Sequence, residues 1–564
     1  MTNAAAPGPI ARTTATSKNL ALAAMLFAVS MTFIDQTIVA IASPNIQSEL
    51  DLSRSGVQWV INGYILALAA GFALGGRLAD VLGSKRVVLI GIIGFAGSSA
   101  LCGFTPKGSF AEVWIIFFRI IQGLSAALMI PAALAMVVSA FPLRERGRAL
   151  AIFFGVSGGL TAIGPIAGRY LTQWTWRAIF WINIPVAILA IVLTLAAGIH
   201  SAPRKEKIDW PGAALVAAGM ALSVLGFEQA SSWGWADIKT WGCIIGGLVI
   251  LVVFVLFELR GPVPLIKIKI FKDRAFFIDN AVLFLSMVAF VPVFFFASVH
   301  SQVSLGYDAD NAGLYLLVFF AGFAPAAQVG GRILDKSGAK PAIVAGSALA
   351  AVGFGLWAWK LTVLSLGSQW WAIVLSGAGI GLLLGPASTD ATNRSINASY
   401  GEVTGITQTV RNYGSALGLA VLGTVLSNVF ANRLTDSFAG FGIPAEQASA
   451  LASAAASGSG GTSEGSAQLS TLPTQVQEQV SAAVANDFAI ATQAVLIGMA
   501  IALAVSLVVS LLHPGGRVTE ERWRSTGRPR HRIRRNRRRR GGSEQTGQSQ
   551  VWTRTVVPAA PDRT

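Results

Sequence analysis

Fourteen stretches of mainly apolar residues, each about long enough to cross a lipid bilayer, decide what this chain can become. They lie near 20–43, 57–76, 86–104, 112–138, 149–170, 178–199, 211–229, 241–258, 276–299, 311–333, 341–361, 370–389, 404–430 and 488–512. A helix needs about 20 such residues to span the hydrocarbon core, and within it each backbone N–H and C=O must be paired inside its own segment. Only 12% of the residues are charged, against roughly a quarter in soluble domains. The chain therefore reads as an all-α membrane protein with 14 transmembrane helices. The first segment is too long for a signal-peptide core and no small-residue cleavage site follows it, so residues 1–19 are expected to stay as a cytoplasmic leader.

An even number of spans puts both termini on one side. If that side is the cytoplasm, 35 Lys and Arg fall inside, seven fall outside, and Arg119 sits within a span. Basic residues favour the cytoplasmic side. Fourteen of them belong to the tail from Pro514, yet 19 against seven remain when tail and leader are set aside. Tryptophan agrees, because 12 of the 15, including Trp174, Trp176, Trp370 and Trp371, fall at the outer ends, where an interfacial belt belongs. Cys102 and Cys243 both lie in apolar segments and form no disulfide framework.

Two loops repeat. "GGRLADVLGSKR" (75–86) joins the second and third segments, and "GGRILDKSGAKP" (330–341) joins the tenth and eleventh. Equivalent loops eight spans apart imply a six-span unit (20–200), two inserted spans with linkers (201–275) and a second six-span unit (276–513). Parallel repeats of six spans characterise major facilitator transporters, which hold substrate between their halves near the bilayer midplane.

The order of short motifs narrows the resemblance. "IDQTIVAIASP" lies in the first span, "GRLADVLGSKR" after the second, "RIIQG" in the fourth, "GLTAIGPIAGR" in the fifth and "WRAIFWINIP" at the entry to the sixth. With these the chain resembles the fourteen-span drug:proton antiporter family of the major facilitator superfamily, over roughly residues 20–430 and the last span. Ala40, Ser43 and Arg169 depart from that family's usual Asn, Leu and Gly. The resemblance implies two six-helix bundles plus two inserted helices and export of small lipophilic compounds, drugs or toxic metabolites, in exchange for protons. No Walker-type phosphate loop and no Cys/His cluster at metal-ligand spacing is present. An ion gradient is therefore the expected energy source, which the resemblance implies is a proton gradient, with no cofactor, no metal and no covalent chemistry.

Each motif supplies candidate residues. In the first loop, Gly76 and Gly83 serve a tight turn, Asp80 sits at a helix end, and Lys85 and Arg86 are expected to close an ion-pair latch on the cytoplasmic face. Ordinary positive-inside loop chemistry is the alternative. In the fifth span, Gly155 and Gly159, then Gly164 and Gly168, are i, i+4 pairs that admit a neighbouring helix, and Pro165 permits a bend. The resemblance, which associates this motif with export, reads Gly159, Gly164, Pro165 and Gly168 as a hinge; generic packing explains the glycines as well. Glu228, His300, Asp279 and Asp390 are placed at membrane edges, where solvation costs little. Gln302, Asn311 and Asn412 are candidates to line a cavity.

One carboxylate stands apart. Asp35 lies nine residues before Pro44, about 13 Å deep at 1.5 Å per residue. Arg119 lies seven residues after Glu112, about 10 Å deep by the same rise. Charges within a bilayer pair with one another or face water, so the two are expected to meet and to carry the coupling proton or a cationic substrate. A static structural pair is the alternative. Asp35 is the only carboxylate placed deep in a span, which argues against dicationic substrates. Residues 431–487 form an outer loop rich in Ala, Ser and Gly. The Arg-rich tail 514–564 is expected to be disordered and to contact anionic lipid rather than nucleic acid, in a monomer. A dedicated exporter of one metabolite or lipid, and a non-transporting membrane sensor, remain as other readings.

Overall fold

The computed structural model describes residues 15–142, 145–161, 163–198, 207–261, 264–394, 399–440 and 474–516. Among these, thirteen helices are long and apolar enough to cross a bilayer. The first half consists of α1 (Ala15–Leu50), α2 (Arg54–Leu82), α3 (Ser84–Gly103), α4 (Ala111–Ala140), α5 (Arg146–Thr161), α6 (Ile163–Trp174), α7 (Ala178–Trp181) and α8 (Asn183–Ala196). Then come the inserted pair α9 (Trp210–Trp233) and α10 (Ile238–Arg260), and a 3₁₀ turn at Ile268–Lys272. The second half holds α11 (Arg274–Val303), α12 (Ala309–Ser337), α13 (Ala339–Leu361), α14 (Leu366–Arg394), α15 (Tyr400–Gly440) and α16 (Thr474–Leu511). Several starts are fixed by side-chain caps: Ser53, Asp209, Asp273 and Asp308 accept N–H bonds from the first turns of α2, α9, α11 and α12, satisfying donors that a helix leaves unpaired.

The repeat is visible in the packing. In the first half α2 packs on α4, α3 on α4 and α8, and α1 on α8; in the second, α12 packs on α14, α13 on α14 and α16, and α11 on α16. Between halves, α2 meets α15 and α5 meets α12. The inserted pair lies against this seam, because α9 touches both α2 and α15 while α10 packs mainly on α9. Gly83 and Gly338 occupy equivalent junctions, α2/α3 and α12/α13, at φ +90° and +89°. A side chain is strained there, and glycine is not.

Several expectations are corrected. Helix α1 begins at Ala15, inside the expected leader, and runs through Pro44 to Leu50. The fifth segment is two helices, α5 and α6, neither long enough to span alone, with Ala162 outside the described residues. Helices α15 and α16 extend well into the expected outer loop, to Gly440 and from Thr474. Residues 441–473, and the tail beyond Gly516 with its expected lipid contact, lie outside the described residues.

Candidate functional site

Asp35 and Arg119 are brought together in the first half. Arg119 Nη1 donates to Asp35 Oδ2 at 2.6 Å and to Gln122 Oε1 at 2.8 Å, its Nε donates to the Val60 carbonyl at 2.9 Å, and Gln122 Nε2 donates to Asp35 Oδ1 at 2.9 Å. The guanidinium stacks 4.4 Å from the Tyr64 ring. Both charges are sealed, Asp35 at 0% and Arg119 at 1% exposure. The sequence motif explains the geometry, since Arg119 and Gln122 are i, i+3 on α4 and so share a face. Taking two ions out of water costs several kcal/mol each, offset only when geometry and extra hydrogen bonds are good; here both carboxylate oxygens and two nitrogens of Arg119 are bonded. Gln36, beside Asp35, points instead into a cavity between the halves.

The end of the bundle that carries the two repeated loops is closed, and closed the same way twice. Asp80 on α2 accepts N–H bonds from Gly401 (3.0 Å) and Glu402 (2.8 Å) and the hydroxyl of Ser399, so it caps the N-terminus of α15 in the other half. Asp335 on α12 lies at the N-terminus of α5, its Oδ1 2.7 Å from where a Cβ on Gly147 would sit. The paired glycines divide the work. Gly75 and Gly330 leave room for the carbonyls of Ala127 and Leu382 within each half, while Gly76 and Gly331 leave room for the carbonyls of Gly401 and Gly147 across the halves. Arg146 adds a third tie, donating to Asn393 Oδ1 at 3.0 Å and the Tyr400 hydroxyl at 2.9 Å. This contact across the halves adds to the expected role of the loop's basic residues. Asp80 reaches a helix N-terminus, where backbone N–H groups and the dipole favour an anion by about 1 kcal/mol, and Arg86 is exposed at the start of α3.

A cavity of about 120 Å³ lies between the halves, lined by α1, α2, α4, α9, α11 and α15. Its polar groups are Gln36, Glu228, Gln408, Arg411, Asn412 and Ser415, set among Phe33, Leu68, Phe72, Met287 and Leu419. Glu228 lies near the end of its span, as expected, but it faces this cavity, so the inserted pair supplies the cavity with a carboxylate. Arg411, which the sequence reading did not single out, is buried within α15 at 7% exposure. Asn412 is where a cavity-lining role was expected; Gln302 is exposed. In the fifth-span motif, Gly164 lets α6 approach α1 so closely that a Cβ there would collide with the Thr37 hydroxyl, two residues from Asp35. Gly168 accepts the Thr172 hydroxyl at 2.7 Å.

Three residues expected at solvated edges are buried instead. His300 is fully buried, with both ring nitrogens lacking partners among the described residues. Asp279 (α11) and Asp390 (α14) converge on His513, just past α16, with Nε2 3.4 Å and 3.3 Å from their oxygens, and Arg394 holds Asp390 and the carbonyls of Gly515 and Gly516. Residues 513–516 lie over these helix ends, which takes the place of the expected water. Burial pushes the His513 pKa down, but Asp279 and Asp390 outweigh it and raise it to about 9. The Gly515 N–H donates to Nδ1 at 3.0 Å, a neutral bond worth about 1 kcal/mol that yields to charge-assisted bonding when the ring protonates. A pKa raised on folding stabilises the fold fully below the unfolded value near 6.5, and that stability is lost as pH rises through about 9. His513→Gln is thus expected to melt well below wild type at pH 6 and close to it near pH 10, in detergent thermal scans. Parallel melting curves at every pH would remove the ionic role.

At the opposite end, the "WRAIFWINIP" residues tie helices together. Trp176 Nε1 donates to Glu49 at 2.7 Å, Arg177 bonds Glu49 and the carbonyls of Gly103 and Thr105, and Asn183 donates to Ser99 at 2.9 Å. This motif is structural scaffolding for the ends of α1 and α3.

A duplicated bundle closed by matched loops, around a central cavity, has counterparts among known proteins. A sequence model of the Major Facilitator Superfamily matches residues 25–419. The chain belongs to that superfamily. The tetracenomycin C resistance and export protein of Streptomyces glaucescens is 32% identical over 430 residues, covering 75% of this chain and 78% of its own. The cephamycin export protein of Amycolatopsis lactamdurans is 32% identical over 473 residues, covering 78% and 94%. Among solved structures, the proton:xylose symporter XylE aligns over 91% of this chain and 99% of its own, with TM-score 0.54 and 13% identity, a likeness of fold. This major facilitator protein is a multi-pass membrane transporter and not an enzyme.

Proposed function

We propose that this transporter exports small lipophilic compounds, drugs or toxic metabolites, across the cell membrane in exchange for protons, by alternating access, with both termini in the cytoplasm. The observation that carries the reading is the cavity between two repeated halves, closed at one end by the duplicated Asp80 and Asp335 contacts. Breaking those contacts and rocking the halves opens that end to substrate. The resistance and export activities named for the relatives support outward drug transport. Asp35 is the proposed coupling group. Arg119 and Gln122 bond both of its oxygens and it is closed to solvent; parting that pair is the step that frees the carboxylate for proton exchange. Gly164 places α6 against α1 at this level, so motion of the fifth span acts on the carboxylate's helix. This is the proposed hinge function of Gly159, Gly164, Pro165 and Gly168.

Purified protein in liposomes, given an imposed pH gradient and a panel of lipophilic compounds, tests the reading. Several chemically unlike compounds are expected to move against the proton flow, and dissipating the gradient to stop accumulation. Transport of a single compound would favour a dedicated exporter. Accumulation unaffected by the proton gradient would refute proton coupling.

A further inference from the structure

The cavity carries a cation without a protein counter-charge. Arg411 has five N–H donors, and among the described residues one meets a protein acceptor, Gln408 Oε1 at 2.9 Å. Its Nε is buried without a partner, and no carboxylate among the described residues lies within ion-pair distance. The guanidinium packs 4.6 Å from the Phe154 ring of α5, in the other half. Next to it, Asn412 Nδ2 is also buried with no acceptor. Burying a charge or a donor unpaired is costly, so two cavity-lining residues of α15 that each keep an unmatched donor fit a ligand rich in acceptors. Glu228 does not supply the match. It stands about 27 Å along α9 from Trp210, whereas Arg411 stands about 16 Å along α15 from Tyr400, so the two mark opposite ends of the cavity.

We infer that Arg411, with Asn412, anchors the acidic group of an aromatic or polycyclic substrate, a carboxylate or a phenolate, whose ring body lies against Phe33, Leu68 and Phe72. The size agrees with a ring. A volume of about 120 Å³ approaches the ~150 Å³ cavity that holds one benzene, so in this closed state the site has room for about one ring, and a larger body waits on the halves to part. Arg is suited to the task, since its planar fork binds a carboxylate through two parallel hydrogen bonds.

This inference deepens the export reading and rests on it, so the test separates them. Liposomes containing the full-length protein are assayed with 1-naphthaleneacetate, its neutral alcohol counterpart 1-naphthaleneethanol, and a cationic naphthalene amine, by binding and by transport. Wild type is expected to prefer the acid; Arg411→Gln should weaken acid binding roughly tenfold or more while leaving the alcohol unaffected, and Arg411→Lys should restore part of the preference. Equal loss for acid and alcohol would mean damage to the cavity rather than loss of an anion anchor, and overturns the assignment. So does a wild type that moves the alcohol or the amine but not the acid, with export intact. Transport of none of these probes and of no compound in the lipophilic panel overturns the export reading itself.

Discussion

Asp35→Asn is expected to abolish accumulation driven by a proton gradient. Asn has the shape of Asp and can still accept one bond, but it cannot bind and release a proton. The substitution also leaves Arg119 buried without its counter-charge, and breaking such a pair costs about 3–5 kcal/mol. Loss of transport alone would therefore not separate coupling from folding. The double variant Asp35→Asn with Arg119→Gln separates them. It removes both charges, so if the pair only holds α1 to α4, neutral hydrogen bonding between the two introduced amides and Gln122 should recover stability and transport together. If Asp35 carries the proton, the double variant regains its melting temperature and substrate binding, yet exchanges substrate down its gradient without responding to pH. Proton-driven accumulation restored in the double variant would falsify the coupling assignment.

How much of this was legible before the structure depends on which coordinate a residue's function needs. Depth can be counted. Asp35 and Arg119 sit on continuous helices with a fixed rise per residue, so two counts from helix ends placed them at one level, and the structure joins them at 2.6 Å. The repeated Gly-Gly-Arg loops were legible for a related reason, since a pattern that recurs eight spans apart fixes its own topological equivalence. Azimuth cannot be counted on a helix that is apolar all round. Glu228 lies near an end of α9 and by depth belongs to the interface, but α9 packs on the seam of α2 and α15 and turns the carboxyl to the cavity. Arg411 lies about three turns inside α15, which begins at Tyr400, and the side of the helix that it faces could not be read from depth either. Asp279 and Asp390 failed because solvation at a helix end was assumed, and the segment at His513 to Gly516 covers it.

Gly76→Ala is expected to stop the repeated-loop end from closing, with a loss of transport that rivals that of Asp35→Asn. The added methyl group would fall inside the van der Waals surface of the Gly401 carbonyl, a backbone atom of the opposite half that has no flexible side chain to move aside. Inside α2 itself, alanine is favoured over glycine by about 1 kcal/mol, so the isolated half should fold at least as well as wild type. The cost therefore falls on the contact between halves, which must separate or tilt until Asp80 no longer reaches the N–H groups of Gly401 and Glu402. Gly401→Ala attacks the same contact from the other side, where the methyl would meet the Gly76 carbonyl and the Asp80 carboxyl, and should give the same phenotype. Gly97→Ala is the control, because nothing lies within 4 Å of its added Cβ. A cysteine introduced at Ser399, buried beneath Asp80 in the closed state, reports the result: it should label with a water-soluble maleimide in both cross-half variants and stay protected in the wild type and the control. Wild-type turnover by Gly76→Ala with Ser399→Cys still protected would mean that the two halves do not need this approach, and the duplicated glycines would then be packing residues with no part in the transport cycle.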